Sequence, residues 1–382
     1  MANLTYIYNS RIVLETGIVF DGAMVIADGK IQSVGKERDL PCPEGAKKLN
    51  AEGAYVGPGF VDIHVHAGND MASFEKPAEV ADFFLNHGHT AFFPTPFYSQ
   101  NFQEIMDSIA CVKAAMPHVP TIKGIYMEGP FTNPDFGANS DINPWRHNIT
   151  PQEYEAMVDL GGTEIKVWTI APEREDLLPF LAYARQVNPD VVLALGHSEA
   201  TPMQVRALGK YRPTLMTHTF NATGRQPVLL GTRGYGPDEY ALQTPEMYCE
   251  LISDSCGIHV HPEMQRLLLH CKGADKIVLI TDCTVAVGEN PSALAHITDL
   301  NFDHNSDLCG SRLTLDQACR NVMEATNCGI AQAFLMASTN PSKVVGMYDE
   351  IGSIAPGKDA DLVFVSDCFE VKRVLVAGEV VR

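Results

Sequence analysis

Pro58-Gly59-Phe60-Val61-Asp62-Ile63-His64-Val65-His66 is an apolar run that closes on two histidines spaced i, i+2. Such a run reads as a β-strand, and on a strand alternate side chains leave by the same face. His64 and His66 are therefore expected to project together from one strand end, the disposition that grips a metal ion. Alone, the pair is better explained as two hydrogen-bonded surface histidines. Repetition changes that reading, because later apolar runs end on Glu128, His197, His218 and Asp282.

Working outward, short apolar segments at 60–66, 90–96, 121–128, 165–171, 191–197, 213–219, 248–254 and 276–282 alternate with helix-like stretches. Eight strands with helices between them predict an α/β fold, a (β/α)8 TIM-type barrel over residues 58–351. An open doubly wound sheet is the competitor, but no glycine-rich nucleotide fingerprint follows the first strand. The flanks differ in style. Residues 4–56 are β-rich and turn-rich, with Asp28-Gly29 marking a hairpin. The same style returns at 361–365 and 373–381. Residues 1–57 and 352–382 are thus expected to form one small β-sandwich domain built from both termini.

Lys and Arg number 28 against 47 Asp and Glu, a net charge of −19. So acidic a chain argues against nucleic-acid binding and requires local groups to hold any phosphate. The ten cysteines include no C-x-x-C pair, which reads as reduced thiols rather than a disulfide framework. The N-terminus lacks a basic segment and a long apolar core, and no apolar stretch reaches the ~18 residues of a membrane span. A cytoplasmic protein with neither membrane nor nucleic-acid partners is expected.

In a barrel of this kind the active site lies at the C-terminal strand ends. Those ends carry His64 and His66 on the first strand, Glu128 on the third, His197 on the fifth, His218 on the sixth and Asp282 on the eighth. Singly, each has a structural explanation: Glu128 as a turn cap, His197 opening a helix with Ser198 as its cap, Asp282 as an N-cap. Together they are hard to attribute to chance. Imidazoles and carboxylates suit Zn²⁺, Fe²⁺ or similar divalent ions. The set exceeds what one tetrahedral ion needs and a carboxylate can bridge two, so one or two ions per subunit are expected. A bound divalent ion lowers the pKa of its water to about 7. Asp282, beside that water, could accept its proton and later deliver it to a leaving nitrogen, which points to amide hydrolysis.

The opening motif, with β-rich ends around the strand–helix repeat, resembles the amidohydrolase superfamily. Within it, Met127-Glu128-Gly129-Pro130-Phe131, Gly196-His197-Ser198, Thr217-His218-Thr219-Phe220-Asn221-Ala222, Gly257-Ile258-His259-Val260 and Thr281-Asp282 are similar to the N-acetylglucosamine-6-phosphate deacetylase family. The tail from Gly352 to Leu362 fits amidohydrolases generally. The resemblance implies Glu128, His197 and His218 as metal ligands, with Asp282 as the catalytic aspartate that also faces the metal. His64 and His66 match a pair that only some relatives keep, which implies a second metal. His259 would contact the substrate and polarise the amide carbonyl. Asn221, Ala222 and Arg225 would hold sugar and phosphate. Asn139, where relatives commonly carry histidine, would face the substrate. An amino sugar 6-phosphate substrate and a homodimer follow from the same resemblance.

Departures lie in the substrate loops. Asp254-Ser255-Cys256-Gly257-Ile258-His259 inserts residues into the usual Asp-Gly-x-His, and Leu230 to Pro237 is unlike the family's short connection. Other amidohydrolases, acting on N-acyl amino acids, dipeptides or cyclic amides, are the rival reading, for which Lys166 would be a carboxylated ligand; its place inside a strand favours a structural lysine. A non-catalytic metal-stabilised barrel is the second rival. His87 and His89 form another H-x-H but precede a strand, and read as turn residues. Cys256 and Cys283 read as packing residues.

Overall fold

The computed structural model describes residues 3–138, 140–226, 231–286 and 288–382. Every expected strand window holds a strand: β1 (Phe60–Val65), β2 (His89–Pro94), β3 (Ile125–Met127), β4 (Ile165–Ile170), β5 (Val192–Leu195), β6 (Leu215–Met216), β7 (Tyr248–Leu251) and β8 (Ile277–Leu279). Between them run α1 (Pro77–Leu85), α2 (Phe102–Ala115), α3 (Pro151–Gly161), α4 (Leu177–Val187), α5 (Pro202–Ala207), α6 (Pro237–Gln243) and α7 (Pro262–Lys272), and α8 (Leu315–Thr326) follows β8. The helix starts are written locally. Asn101 with Glu104, Thr150 with Glu153 and Thr201 with Gln204 form capping boxes that satisfy otherwise unpaired N–H groups. Proline opens α1, α3, α5, α6 and α7, where its missing N–H costs nothing.

β1 pairs with β2 in parallel, and β3 to β8 form one six-stranded parallel sheet in chain order. A parallel bridge from Phe92 to Ile122 joins β2 to the approach to β3. At the far side the Asp282 amide donates to the His64 carbonyl, and the Cys283 carbonyl accepts from His66 and Ala67. The last strand is thereby tied back to the first. Inside, Val61, Ile63, Ala91, Phe93, Tyr126, Val167, Ala194, Leu215, Ile252 and Val278 share one core. A second layer between strands and helices buries Phe84, Phe92, Trp168 and Phe180.

The terminal strands form one continuous eight-stranded sheet rather than two separate ones. It includes Leu4–Leu14, Gly17–Ala27, Lys30–Lys36, Tyr55–Pro58, Leu362–Val365 and Val371–Val376. Ile31 near one edge and Leu375 near the other share its core, so the sheet closes over itself. Pro58 pairs with Leu362 as the last residue of a terminal-sheet strand, one residue past the expected boundary, and Phe60 begins β1. Gly59 makes the passage: a Cβ there would lie 2.2 Å from the Thr90 hydroxyl.

Candidate metal centre

The candidate ligands sit where strands stop being strands. His64 lies in β1 and His66 directly after it, Glu128 directly after β3, His197 two residues past β5, His218 two past β6, and Asp282 three past β8. His197, His218 and Asp282 have φ of 45°, 25° and 49°. Left-handed backbone is uncommon for non-glycine residues and concentrates at functional sites. Here it turns three side chains away from the strand direction toward one point. Asp62, inside the opening motif, fixes the first and last strands together: it accepts from the Thr281 hydroxyl at 2.6 Å.

Glu128 is the centre of the cluster. Its Oε1 lies 2.8 Å from His197 Nε2, 2.9 Å from His218 Nε2 and 3.4 Å from His64 Nε2, while Oε2 lies 3.2 Å from His66 Nε2. Asp282 Oδ1 is 3.1 Å from His66 Nε2 and 3.6 Å from His64 Nε2. Two ligand groups result, sharing Glu128: His64, His66, Glu128 and Asp282, and Glu128, His197 and His218, each with donor atoms within 4.8 Å of one another.

The rings are oriented from behind. His66 Nδ1 donates to the Thr95 carbonyl at 2.8 Å and His197 Nδ1 to the Phe136 carbonyl at 3.1 Å. His64 Nδ1 lies 3.1 Å from Glu250 Oε2. An acceptor at Nδ1 leaves the Nε2 lone pair for the centre, the arrangement of metal-ligating histidines. His64 Nε2 is buried without a hydrogen-bond partner, and His197 and His218 bring their Nε2 atoms within 3.0 Å of each other. A divalent cation satisfies both features, so the donor set fits one.

Charge is matched in the same way. Burial pushes the Glu128 carboxyl up, but the facing His197 and His64 outweigh it and hold it well below the usual carboxylate range. Burial also raises Asp282, and its hydrogen bond to His66 reverses that, leaving it lowered. Against the opposing pull of burial, the Asp282 and Glu128 carboxylates raise His66 to about 9, so near neutral pH a bound cation would displace its Nε2 proton to take the lone pair.

Above the cluster opens a cavity of about 300 Å³, lined among others by His66, Glu128, His197, His218, Asn221, Ala222, His259 and Asp282. Asp254 organises the longer loop after β7, accepting from the amides of Cys256, Ile258 and His259 and from His259 Nδ1 at 3.0 Å. His259 is thereby held at the cavity wall. Arg225 is exposed and not among the lining residues, and Asn139 lies outside the described residues. The Lys166 stem packs beside the position of Gly124, which precedes β3, away from the ligand groups. Two site residues escape local sequence reasoning. Tyr98 packs its ring against that of His197 at a 50° tilt, with centroids 4.5 Å apart. Glu250 is fully buried in β7, and a charged residue inside Tyr248-Cys249-Glu250-Leu251 was its only signal.

The model described as Amidohydrolase family matches residues 55–381. The chain is 28% identical to N-acetylglucosamine-6-phosphate deacetylase of Bacillus subtilis (strain 168), across 100% of this chain and 98% of that protein. It is 27% identical to N-acetylgalactosamine-6-phosphate deacetylase of Escherichia coli O157:H7, across 97% of each. Among solved structures, a mutant N-acetyl-D-glucosamine-6-phosphate deacetylase from Mycobacterium smegmatis, in complex with N-acetyl-D-glucosamine-6-phosphate, is similar with a TM-score of 0.83. That pair is 25% identical and covers 99% of each chain.

Proposed function

The chain belongs to the amidohydrolase family, and from that premise we propose that it deacetylates an N-acetylated amino sugar 6-phosphate, releasing acetate. The observation that carries this reading is the convergence of His64, His66, Glu128, His197, His218 and Asp282 at the base of one cavity. Relatives named as gluco and galacto deacetylases support the substrate class. The eight strands are read as a (β/α)8 barrel with the terminal sheet as its appendage, which puts the site at the strands' C-terminal ends.

The two ligand groups suit one or two divalent ions, with Zn or Fe favoured by the imidazole–carboxylate donor set. A bound ion supplies Lewis acidity to the acetyl oxygen and acidifies a water. The chain's residues do the rest. His64, His66, His197 and His218 would hold the ion through Nε2, with the Glu128 carboxylate shared by both groups. Asp282, a carboxylate at neutral pH, accepts the proton of the attacking water and returns it to the departing nitrogen. The new C–O bond replaces the C–N bond, and acetate and a free amine leave. His259, fixed by Asp254, faces the acyl oxygen as negative charge grows there. Asn221 and Ala222 line the cavity wall on the side assigned to sugar and phosphate, and Arg225 stands on the same segment.

A homodimer in the cytoplasm completes the reading. All ten cysteines are free thiols, which fits a reducing compartment. Among the described residues no helix is long and apolar enough to cross a membrane. The test is acetate release from N-acetylglucosamine and N-acetylgalactosamine, each with and without the 6-phosphate. Turnover of a 6-phosphate far above its unphosphorylated partner is expected; no acetate from any of the four overturns the proposal.

A further inference from the structure

Glu250 is fully buried in β7, and among the described residues its carboxylate hydrogen-bonds only within the candidate centre. A carboxylate in such a place is costly unless what it holds repays its desolvation. Oε2 receives the His218 backbone N–H at 3.0 Å and lies 3.1 Å from His64 Nδ1, while Oε1 has no partner. One oxygen therefore touches both ligand groups, because His64 belongs to the first and His218 to the second.

A carboxylate has no proton to give, so the hydrogen of this contact is on His64 Nδ1. The lone pair is then on Nε2, the partnerless atom that faces Glu128 and Asp282. His66 and His197 reach the same state by donating to backbone carbonyls, which are neutral. His64 alone has a full negative charge behind it, and a carboxylate partner makes an imidazole a more basic ligand.

We infer that Glu250 is a positioning residue: it holds His64 as the Nδ1–H tautomer and raises the affinity of the His64–His66 group for a divalent cation. The inference rests on the metal-dependent reading of the site. A purely architectural Glu250, there only to receive the His218 amide, would affect folding and leave cation affinity alone.

The experiment compares the metal-stripped full chain with Glu250→Gln, titrating each with Zn²⁺ against a chromophoric chelator and counting bound ions by mass spectrometry. Glu250→Gln is expected to hold one ion about 10–100-fold more weakly than the unaltered chain. Binding that matches the unaltered chain overturns the inference alone. An unaltered chain that binds no divalent cation overturns the metal reading and the inference with it. If Glu250→Gln fails to fold, imidazole ¹⁵N spectra of the unaltered zinc-loaded chain decide, with His64 assigned by its loss in His64→Asn. A proton on His64 Nδ1 supports the inference, and one on Nε2 overturns it.

Discussion

Two of the chain's three H-x-H pairs, those at 64–66 and 87–89, sit in environments that could hardly differ more; the third, His259-Val260-His261, lies in the loop after β7. His64-Val65-His66 ends β1, where both rings meet Glu128 and Asp282 beneath an open cavity. His87-Gly88-His89 enters β2 at the opposite end of the strands. There His89 is buried between the Phe60 and Phe84 rings, 3.6 Å from Asp62, and accepts the Leu315 amide. His87 is half-buried beside Asp316 at 3.3 Å. The spacing alone does not separate a metal pair from a structural one. What separates them is the strand end, and whether carboxylates converge with room for a substrate.

The comparison breaks most visibly at Glu128, the one ligand shared by both groups. Glu128→Gln should lower acetate release by at least ~10³-fold and deplete bound metal, because a neutral amide replaces the central anionic ligand; retained metal with near-normal turnover would contradict it. Asp282→Asn should cost about 10²–10⁴-fold in kcat, the usual worth of a general acid–base. The informative case is the variant with metal still bound: near-normal turnover there would remove Asp282 from proton transfer.

The two pairs can then be set side by side. His66→Asn should weaken metal binding by about 10-fold or more with little change in the denaturation midpoint. His89→Asn should do the reverse, costing about 1–3 kcal/mol of stability through its buried partners, with metal content unchanged. Any exchange of these two phenotypes would show that strand end is the wrong discriminator.

The smallest effect belongs to the loop that holds His259. Burial raises the Asp254 carboxyl, but the His259 hydrogen bond and its backbone donors outweigh this, leaving it below its ordinary value. A lowered carboxylate stabilises the fold above its unfolded pKa of about 3.9, and that contribution is lost as pH falls through the lower folded value. Asp254→Asn should therefore be about 1–2 kcal/mol less stable near neutral pH, with the gap narrowing below about pH 4. Denaturant unfolding along a pH series checks this, and a gap independent of pH would contradict it.

Much of this was legible because the relevant signals are local. Each strand window, the ligand at its end and the Asp28-Gly29 turn, with φ of 50° and 80°, lie within a few residues of one another in the chain. Glu250 and Tyr98 were not legible, because their roles arise across strands: Glu250 meets His64 from 186 residues away. The single curled sheet at the termini was hidden for the same reason, since strand pairings between residues 55–58 and 362–365 leave no mark in local spacing. Arg225 shows the converse, a motif residue that the fold leaves exposed outside the cavity.

The central claim is that the strand-end histidines and carboxylates form a metal-dependent deacetylase site. Its most direct test is acetate release from N-acetylglucosamine 6-phosphate and N-acetylgalactosamine 6-phosphate by the chain as purified, after chelation, and after restoring Zn²⁺ or Fe²⁺. The account predicts turnover of at least one of them that disappears with the metal and returns with it. Hydrolysis that survives complete metal removal, or no hydrolysis of either sugar by the reloaded chain, would contradict it.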